Sequence, residues 1–196
     1  MAESKRKIQK ELTRKHILDT AIKKFGHNGF VKTRTLDIAT AANISHGSLF
    51  AHFPTMDDLM TSAIEEFGNR LCTRLHDEVS KKQSLPDILQ AHLNGILDFE
   101  DFYTHLIIER RLLPESAKNT YIVIQSTISF HIGLAAEKEI QQGKIKNMPL
   151  HMLFNAWMGM IHYYLSNGDL FQQNGSIIKA YGPELLANYL LFIKST

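Results

Sequence analysis

The chain has 196 residues, of which 44% are hydrophobic, 21% charged and 9% aromatic. This much apolar material can form a core, which excludes a wholly disordered chain. Cys72 is the single cysteine, so a disulfide scaffold is excluded as well. The stretch from Ser4 to Thr20 contains no apolar signal-peptide core, and the most apolar long segment, 150–165, is shorter than the roughly 20 residues that span a bilayer. These features predict a soluble cytoplasmic protein with no membrane partner.

The net charge of +2 hides an uneven distribution of charge. Residues 1–35 carry ten Lys and Arg against three Asp and Glu, whereas residues 36–196 carry twelve against seventeen. A basic N-terminal segment on an acidic body favours an anionic partner, either nucleic acid or a membrane surface. From charge alone, a merely solubilising segment is an equally good interpretation.

The first predicted elements are one ordinary helix and two very short ones. Apolar residues at helical spacing from Ile17 to Phe25 predict the first helix, and Gly29 is a suitable C-cap. Two short helices are then expected at 33–42 and 45–51, separated by Asn43 and Ile44.

The rest of the chain is predicted to be helical too. A capping-box pattern at Thr55 and Asp58 opens a long helix to about Lys82, and Ser84 opens the next. Further helices are expected at about 100–113, 115–142, 150–167 and 183–194, with a loop over 166–182 where helix-breaking residues cluster. No segment alternates with a period of two, so the predicted fold class is all-α. We expect an N-terminal three-helix domain at 1–55 and a C-terminal helical domain at 56–196.

The two short helices carry the functional signal. Ala39 and Ala42 would let two helices cross closely, and Ser45 is a candidate N-cap for the second. Ser45, His46, Ser48 and Phe50 would then be exposed, and short polar groups at the start of such a helix suit contacts in a DNA major groove. The alternative is a purely structural helix pair within an α-helical bundle.

This stretch resembles the DNA-binding domain of the tetracycline-repressor (TetR) family. The resemblance runs without a gap from the helix before the pair to the helix after it. The residues that carry it are Thr13-Arg-Lys-His-Ile-Leu-Asp-Thr-Ala21, Phe25, Gly29-Phe30, Thr33, Asp37-Ile-Ala39, Ala42-Asn-Ile-Ser-His-Gly-Ser-Leu-Phe-Ala-His-Phe-Pro54 and Leu59.

The resemblance implies a set of DNA-binding residues and a partner, double-stranded DNA with a pseudo-palindromic operator. Phe50 and Met56 stand where the family commonly has Tyr and Lys, so two expected phosphate contacts are missing, and the basic N-terminal segment could compensate. Asn43 replaces a frequent Gly but tolerates a left-handed backbone. The implied DNA-binding residues are Thr33, Arg34, Thr35, Ser45, His46, Gly47, Ser48, Phe50 and His52.

For the C-terminal body, the resemblance implies a homodimer and a site for a small-molecule effector. Two apolar stripes at helical spacing are predicted to form the dimer interface: Phe154, Met158, Ile161 and Leu165, and Leu186, Tyr189, Leu190 and Ile193. Candidate effector-binding residues are Phe102, His105, Phe130 and Trp157. Core packing within one chain is the alternative for both sets.

Enzyme and metal interpretations find little support. Asp98, Asp101, His105 and Glu109 share one helical face, but the Glu-x-x-His pairs of a di-metal bundle are absent, which favours a solvated face. Nucleophile, phosphate-loop and dinucleotide motifs are absent from the sequence as well. We therefore expect no catalytic residue, metal or cofactor, and expect Cys72 to be packed on its helix, with a redox-sensing thiol as the alternative.

Together these observations predict a dimeric transcriptional repressor that a small, largely apolar or aromatic effector releases from its operator. The alternative is an effector-independent DNA-binding protein of the same fold, with an architectural or partner-recruiting role. A third hypothesis, an all-α enzyme, lacks a catalytic constellation.

Overall fold

The computed structural model describes residues 2–81, 84–172 and 174–195, and this part of the chain folds into helices without a β-strand. The all-α fold class is thereby confirmed. The predicted end of the long helix near Lys82 lies outside the described residues. The helices are α1 (Ala2–Asn28), α2 (Thr35–Ala41), α3 (His46–His52), α4 (Met56–Ser80), α5 (Leu85–Leu97), α6 (Glu100–Glu109), α7 (Glu115–Gln141), α8 (Leu150–Ser166), α9 (Gly168–Phe171) and α10 (Ile177–Ile193).

Two positive φ angles set the geometry around the short helices. Gly29 ends α1 at φ 81°, as its predicted C-cap role requires. Asn43 adopts φ 53° between α2 and α3, which confirms that the amide residue takes the left-handed turn where the family often has glycine. The turn lets Ile44 N–H donate to the Ala39 carbonyl at 3.1 Å.

Local caps start α4 and α5 where the sequence predicts them. Asp58 N–H donates to Thr55 Oγ1 at 3.0 Å, and Thr55 N–H donates back to the Asp58 carboxylate at 3.1 Å. At α5, Ser84 N–H donates to the Asp87 carboxylate at 2.9 Å. Both starts are confirmed, and the reciprocal bonds satisfy backbone N–H groups that a helix leaves unpaired.

The predicted loop over 166–182 is wrong. Asn167 is followed by the short α9, and α10 begins at Ile177, six residues before the expected start. Pro183, at the expected start of the helix, lies inside α10 instead. The helix starts earlier because Ser176 caps it, accepting the Lys179 N–H at 2.9 Å.

The chain divides into two compact units. The first, Met1–Phe67 with Asp101–Tyr121, has an aromatic core in which Phe30 stacks on Phe25 and also contacts Phe102. A Cβ on Gly26 would lie 3.1 Å from the Phe102 backbone nitrogen, so α1 and α6 approach closely there. Residues 101–121 thus pack with the N-terminal helices, and the predicted functional boundary at residue 55 stays a prediction.

The second unit comprises Gly68–Glu100 with Ile122–Thr196. Its core contains Trp157, which packs against Tyr189 at a ring distance of 5.1 Å and against the fully buried His92. Tyr189 donates its hydroxyl to the Leu153 carbonyl at 2.8 Å, so α8 and α10 are joined by both packing and a hydrogen bond. In the described part of the chain, no helix has both the length and the apolar character that crossing a bilayer requires.

Candidate DNA-binding surface

Helices α2 and α3 bury their apolar sides and expose polar ones. Ile38, Ala39, Ala42 and Leu49 are buried, consistent with the small residues allowing a close crossing. The carboxylate of Asp37 accepts the N–H of Arg34 at 2.9 Å and so holds the start of α2. The Arg34 residue itself is exposed.

The first turn of α3 presents backbone and hydroxyl groups outward. Ser45 caps the helix by accepting the Ser48 N–H at 3.1 Å, which leaves the Ser45 hydroxyl proton free to donate to another group. His46 and Gly47 are exposed, and a Cβ on Gly47 would meet no atom within 4 Å. A DNA strand could therefore approach this turn at backbone distance.

His46 is fixed by two neighbours. Its Nε2 lies 2.8 Å from Oγ1 of Thr35, the first residue of α2. Its ring meets the ring of Phe50 edge-on, with centroids 4.7 Å apart. Phe50 is 39% exposed, so the aromatic ring that replaces the usual Tyr does lie at the surface. The structure therefore brings Thr35, His46 and Phe50 together on one face.

Thr33 requires a correction. The resemblance implies that Thr33 contacts DNA, but the residue is 5% exposed and its hydroxyl donates to the Gly29 carbonyl at 2.6 Å. This bond closes the loop after α1 and takes the donor into the interior. A phosphate role for the Thr33 side chain is therefore dropped.

His52 lies on a different side of α3, next to α1. Burial lowers the pKa of His52, and the positive charges of Lys10 and Arg14 lower it further. The guanidinium of Arg14 donates to the His52 carbonyl at 3.2 Å and lies 4.1 Å above the Phe53 ring. Arg14 thus fastens the end of α3 to α1, in addition to adding charge to the basic N-terminal segment.

A carboxylate of α6 supports the loop between α1 and α2. Glu109 accepts the Val31 N–H at 2.8 Å and is itself held by His105 Nδ1 at 3.0 Å. A Cβ on Gly29 would lie 2.2 Å from the Glu109 carboxylate, so a larger residue would displace that carboxylate as well as strain the backbone at φ 81°. The sequence offers no signal for this contact because its partners are 78 residues apart.

The candidate effector residues have different environments. Phe102 is buried in the core of the first unit, and His105 forms a hydrogen bond with the Glu109 carboxylate. In the second unit, Trp157 is fully buried and Phe130 is 61% exposed on α7. Core packing accounts for Phe102 and Trp157 without a ligand, and an effector-lining role for the four residues stays a prediction.

The predicted dimer stripes also need a correction. Met158, Ile161, Leu165, Tyr189 and Ile193 are all less than 5% exposed because their own chain covers them, so they are not available to a partner subunit. Phe154, Leu186 and Leu190 are partly exposed. Spacing finds the apolar side of a helix, but it does not distinguish a monomer core from an interface. The large exposed apolar residues of α8 and α10 are instead Leu150, Met152, Tyr163, Leu191 and Phe192.

The acidic face at the end of α5 and on α6 forms side-chain pairs, which are exposed at Asp98 and partly buried at Glu109. Asp98 accepts a bond from Arg74 at 2.7 Å, and His105 and Glu109 pair with each other. Among the described residues, no group of three or more His, Cys, Asp or Glu could hold a metal ion. Cys72 is partly buried, and burial raises the pKa of its thiol.

A family model described as bacterial regulatory proteins of the tetR family matches residues 17–63. An uncharacterized HTH-type transcriptional regulator of Bacillus subtilis, YuxN, is 28% identical over 127 residues, covering 60% of this chain and 43% of that protein. The probable acrEF/envCD operon repressor of Escherichia coli is 32% identical over 91 residues, covering 46% and 34%. The chain thus matches less than half of the length of either relative.

Solved structures share the fold over almost the whole chain. A TetR-family transcriptional regulator from Agrobacterium tumefaciens covers 95% of this chain and 100% of its own at a TM-score of 0.79 and 16% identity. FadR from Bacillus subtilis, solved in complex with stearoyl-CoA, covers 89% and 96% at a TM-score of 0.71, also at 16% identity. The family model covers α2 and α3 with the helical segments on either side, so residues 17–63 of the chain match the TetR family of bacterial regulatory proteins.

Proposed function

We propose that this protein is a sequence-specific DNA-binding transcriptional regulator. The observation that carries the proposal is the first turn of α3, where Ser45, His46 and the bare backbone of Gly47 are exposed beside Thr35. Polar side chains that protrude from the start of a short second helix are what a helix-turn-helix protein inserts into a major groove. The matched family segment includes these residues.

The charge distribution supports the same function. Ten cationic residues lie within the first 35 positions, and the exposed Arg34 stands directly before α2. Cations near the reading helix bind phosphates and fix the register of the protein on the duplex, while the helix reads bases. Thr35, Ser45, Ser48 and Phe50 remain proposed members of this surface, and His52 remains a proposed DNA contact on the side of α3 that lies next to α1.

We further propose a homodimer with a two-fold axis that reads a pseudo-palindromic operator. One short helix contacts too few base pairs for tight specific binding, and a two-fold dimer places two such helices about one DNA turn apart. The exposed apolar residues of α8 and α10 are the surface that a second copy would cover.

The regulatory model is repression relieved by a small, largely apolar or aromatic effector bound in the second unit. That unit contains a cavity of about 520 Å³ beside α4 and the end of α5, where Leu71 and Phe99 give apolar surface and Arg74 and Asp98 give polar groups, a combination typical of small-molecule sites. FadR of Bacillus subtilis, which shares the fold, was solved with stearoyl-CoA, so a long acyl group is one candidate for the apolar part. An effector-independent DNA-binding protein is the alternative, distinguished by whether any compound changes operator affinity.

The test is selection of DNA from a random-sequence duplex library by the full chain. We expect an enriched inverted repeat whose half-sites lie about 10 base pairs apart, centre to centre. Gly47→Glu should reduce affinity for the selected duplex at least about tenfold, because the new carboxylate would face phosphates while its Cβ meets nothing in the fold. Asn119→Glu adds the same charge at an exposed position of α7 and is the matched control. Failure to enrich any sequence would contradict the proposal.

A further inference from the structure

The contact between His46 and Thr35 restricts the imidazole to one orientation. Nε2 is held at 2.8 Å by the Thr35 hydroxyl from α2, and the ring edge packs on Phe50 one turn further along α3. The two contacts come from different helices and engage different parts of the ring. An exposed histidine that would otherwise sample several rotamers is therefore fixed before any ligand binds.

Nδ1 is the polar atom of His46 that remains for a ligand. Within the described residues it has no hydrogen-bond partner, and the residue is exposed. When the Thr35 hydroxyl donates its proton to Nε2, the proton of the neutral ring is placed on Nδ1. The ring then offers a single, oriented N–H donor beside the exposed backbone of Gly47.

We propose that His46 reads guanine through this Nδ1–H donor, and that Thr35 is the residue that positions it. This inference rests on the proposed DNA-binding function. In the major groove, guanine presents two adjacent acceptors, N7 and O6, whereas adenine places an amino donor beside its N7. Cytosine offers a donor, and thymine offers one acceptor beside a methyl group. A lone N–H donor therefore pairs best with guanine.

The first experiment uses 7-deazaguanine, which replaces N7 by a C–H group and keeps base pairing. The full chain is titrated with its selected duplex and with duplexes that carry 7-deazaguanine at one guanine per half-site. We expect one such position to weaken binding about tenfold, within the range of a direct base contact. His46→Ala should bind the normal and the substituted duplex equally well. If no position responds in the parent protein, the inference is overturned.

The second experiment separates the two ring nitrogens by a matched pair of variants. The amide of His46→Asn occupies the place of Nδ1, whereas the amide of His46→Gln reaches the place of Nε2. The Asn variant should keep a purine preference at the responsive position, moved towards adenine, with which Asn pairs through two bonds. The Gln variant should lose the preference. Equal behaviour of the two variants would overturn the assignment of Nδ1 as the reading atom.

The role of Thr35 is tested by its own matched pair. Thr35→Val removes the hydroxyl at almost constant shape and should lower the discrimination between guanine and 7-deazaguanine severalfold. Thr35→Ser keeps the hydroxyl and should retain the discrimination of the parent protein. In the His46→Ala background, Thr35→Val should change that discrimination no further, since nothing is left to position. Independent effects of the two substitutions would overturn the positioning role.

The same measurements distinguish the inference from the function on which it rests. If selection enriches no DNA sequence, the proposed function fails. If a sequence is enriched but its affinity is insensitive to 7-deazaguanine and to Thr35→Val, the protein reads DNA by other groups and only the inference fails.

Discussion

His92 is a neutral imidazole enclosed in the core of the second unit. It is fully buried, and its Nδ1 accepts the indole N–H of Trp157 at 3.2 Å. Within the described residues, its Nε2 is buried without a hydrogen-bond partner. Burial, with a smaller contribution from His162, lowers the pKa of His92 from 6.5 to about 3.

This lowered pKa predicts acid-sensitive stability. In the unfolded chain His92 binds a proton below about pH 6.5, whereas in the folded chain it stays neutral down to about pH 3. The free energy of unfolding is therefore unaffected by this group above pH 6.5 and decreases as the pH falls from 6.5 to 3. The expected loss at pH 5 is about 2 kcal/mol from this group. Urea unfolding followed by Trp157 fluorescence at several pH values measures it.

His92→Asn is the informative variant for this prediction. Its Oδ1 occupies the place of Nδ1 and can still accept the Trp157 N–H, but the side chain does not titrate. The variant should therefore show a shallower loss of stability below pH 6.5 than the parent protein. His151→Asn, on the exposed side of α8, controls for the loss of one imidazole. Parallel pH curves for the parent and His92→Asn would show that His92 does not govern the acid response.

Individual residues were predictable from the sequence where their partners are local. The caps at Ser45 and Thr55 follow from a pattern of four residues, and both form. The environments of Thr33 and His92 were not predictable, since one depends on a loop that folds back and the other on a partner 65 residues away. A hydroxyl or imidazole in a sequence does not reveal whether it faces solvent or the interior.

At the scale of elements, α10 is anchored by a carboxylate from outside its own sequence. Glu100, the first residue of α6, accepts the N–H groups of Ile177 at 2.6 Å and Ile178 at 3.2 Å, and also a short bond from the Ser176 hydroxyl. A negative group at this place satisfies unpaired N–H groups and interacts favourably with the helix dipole.

Glu100→Gln should destabilise the protein by about 2 kcal/mol, because the charged hydrogen bonds to the helix start are lost and an amide N–H₂ now competes for the same place. Urea unfolding measures the loss, and hydrogen exchange at Ile177 and Ile178 should accelerate. Glu137→Gln, which is exposed on α7, is the matched control and should change stability by less than about 0.5 kcal/mol. Equal effects of the two variants would rule out the anchoring role.

The same anchor explains which helix boundaries could be predicted. The starts of α4 and α5 carry their caps within four residues, so they are readable from the sequence. The start of α10 depends partly on Glu100, which lies 76 residues before Ser176, and its first two turns contain Gly182 and Pro183, which also favour loops. The spacing of the apolar residues from Leu186 to Ile193 identified the helix but not where it begins.

At the scale of the whole molecule, the exposed apolar residues of α8 and α10 predict self-association. Leu191→Glu places a charge where the parent protein has a leucine that is 68% exposed, and burying that charge against a second copy would be costly. We expect the variant to sediment as a monomer at concentrations where the parent protein is a dimer, and to lose most of its operator affinity. Leu112→Glu, on a leucine that is 73% exposed in the first unit, controls for the added charge. A dimeric Leu191→Glu variant would exclude this face as the interface.

The basic N-terminal segment predicts that the affinity for DNA decreases steeply as the salt concentration rises. Lys5, Arg6, Lys7 and Lys10 are exposed on the first turns of α1, so their charges project from a helix rather than from a flexible tail. Each phosphate neutralised contributes about −0.9 to the slope of log affinity against log salt. Replacing these four residues with Gln keeps the helix and should make the slope shallower by up to roughly 3.6, weakening operator and random DNA alike.

Titrations of both duplexes between low and physiological salt provide the measurement. Lys138→Gln with Lys144→Gln, in the second unit, shows the effect of cations outside the proposed DNA-binding surface. A greater loss on operator than on random DNA would mean that the segment contributes to base recognition. An unchanged slope would mean that these charges serve solubility, and Arg34 with the remaining cations of α1 would then have to supply the phosphate contacts.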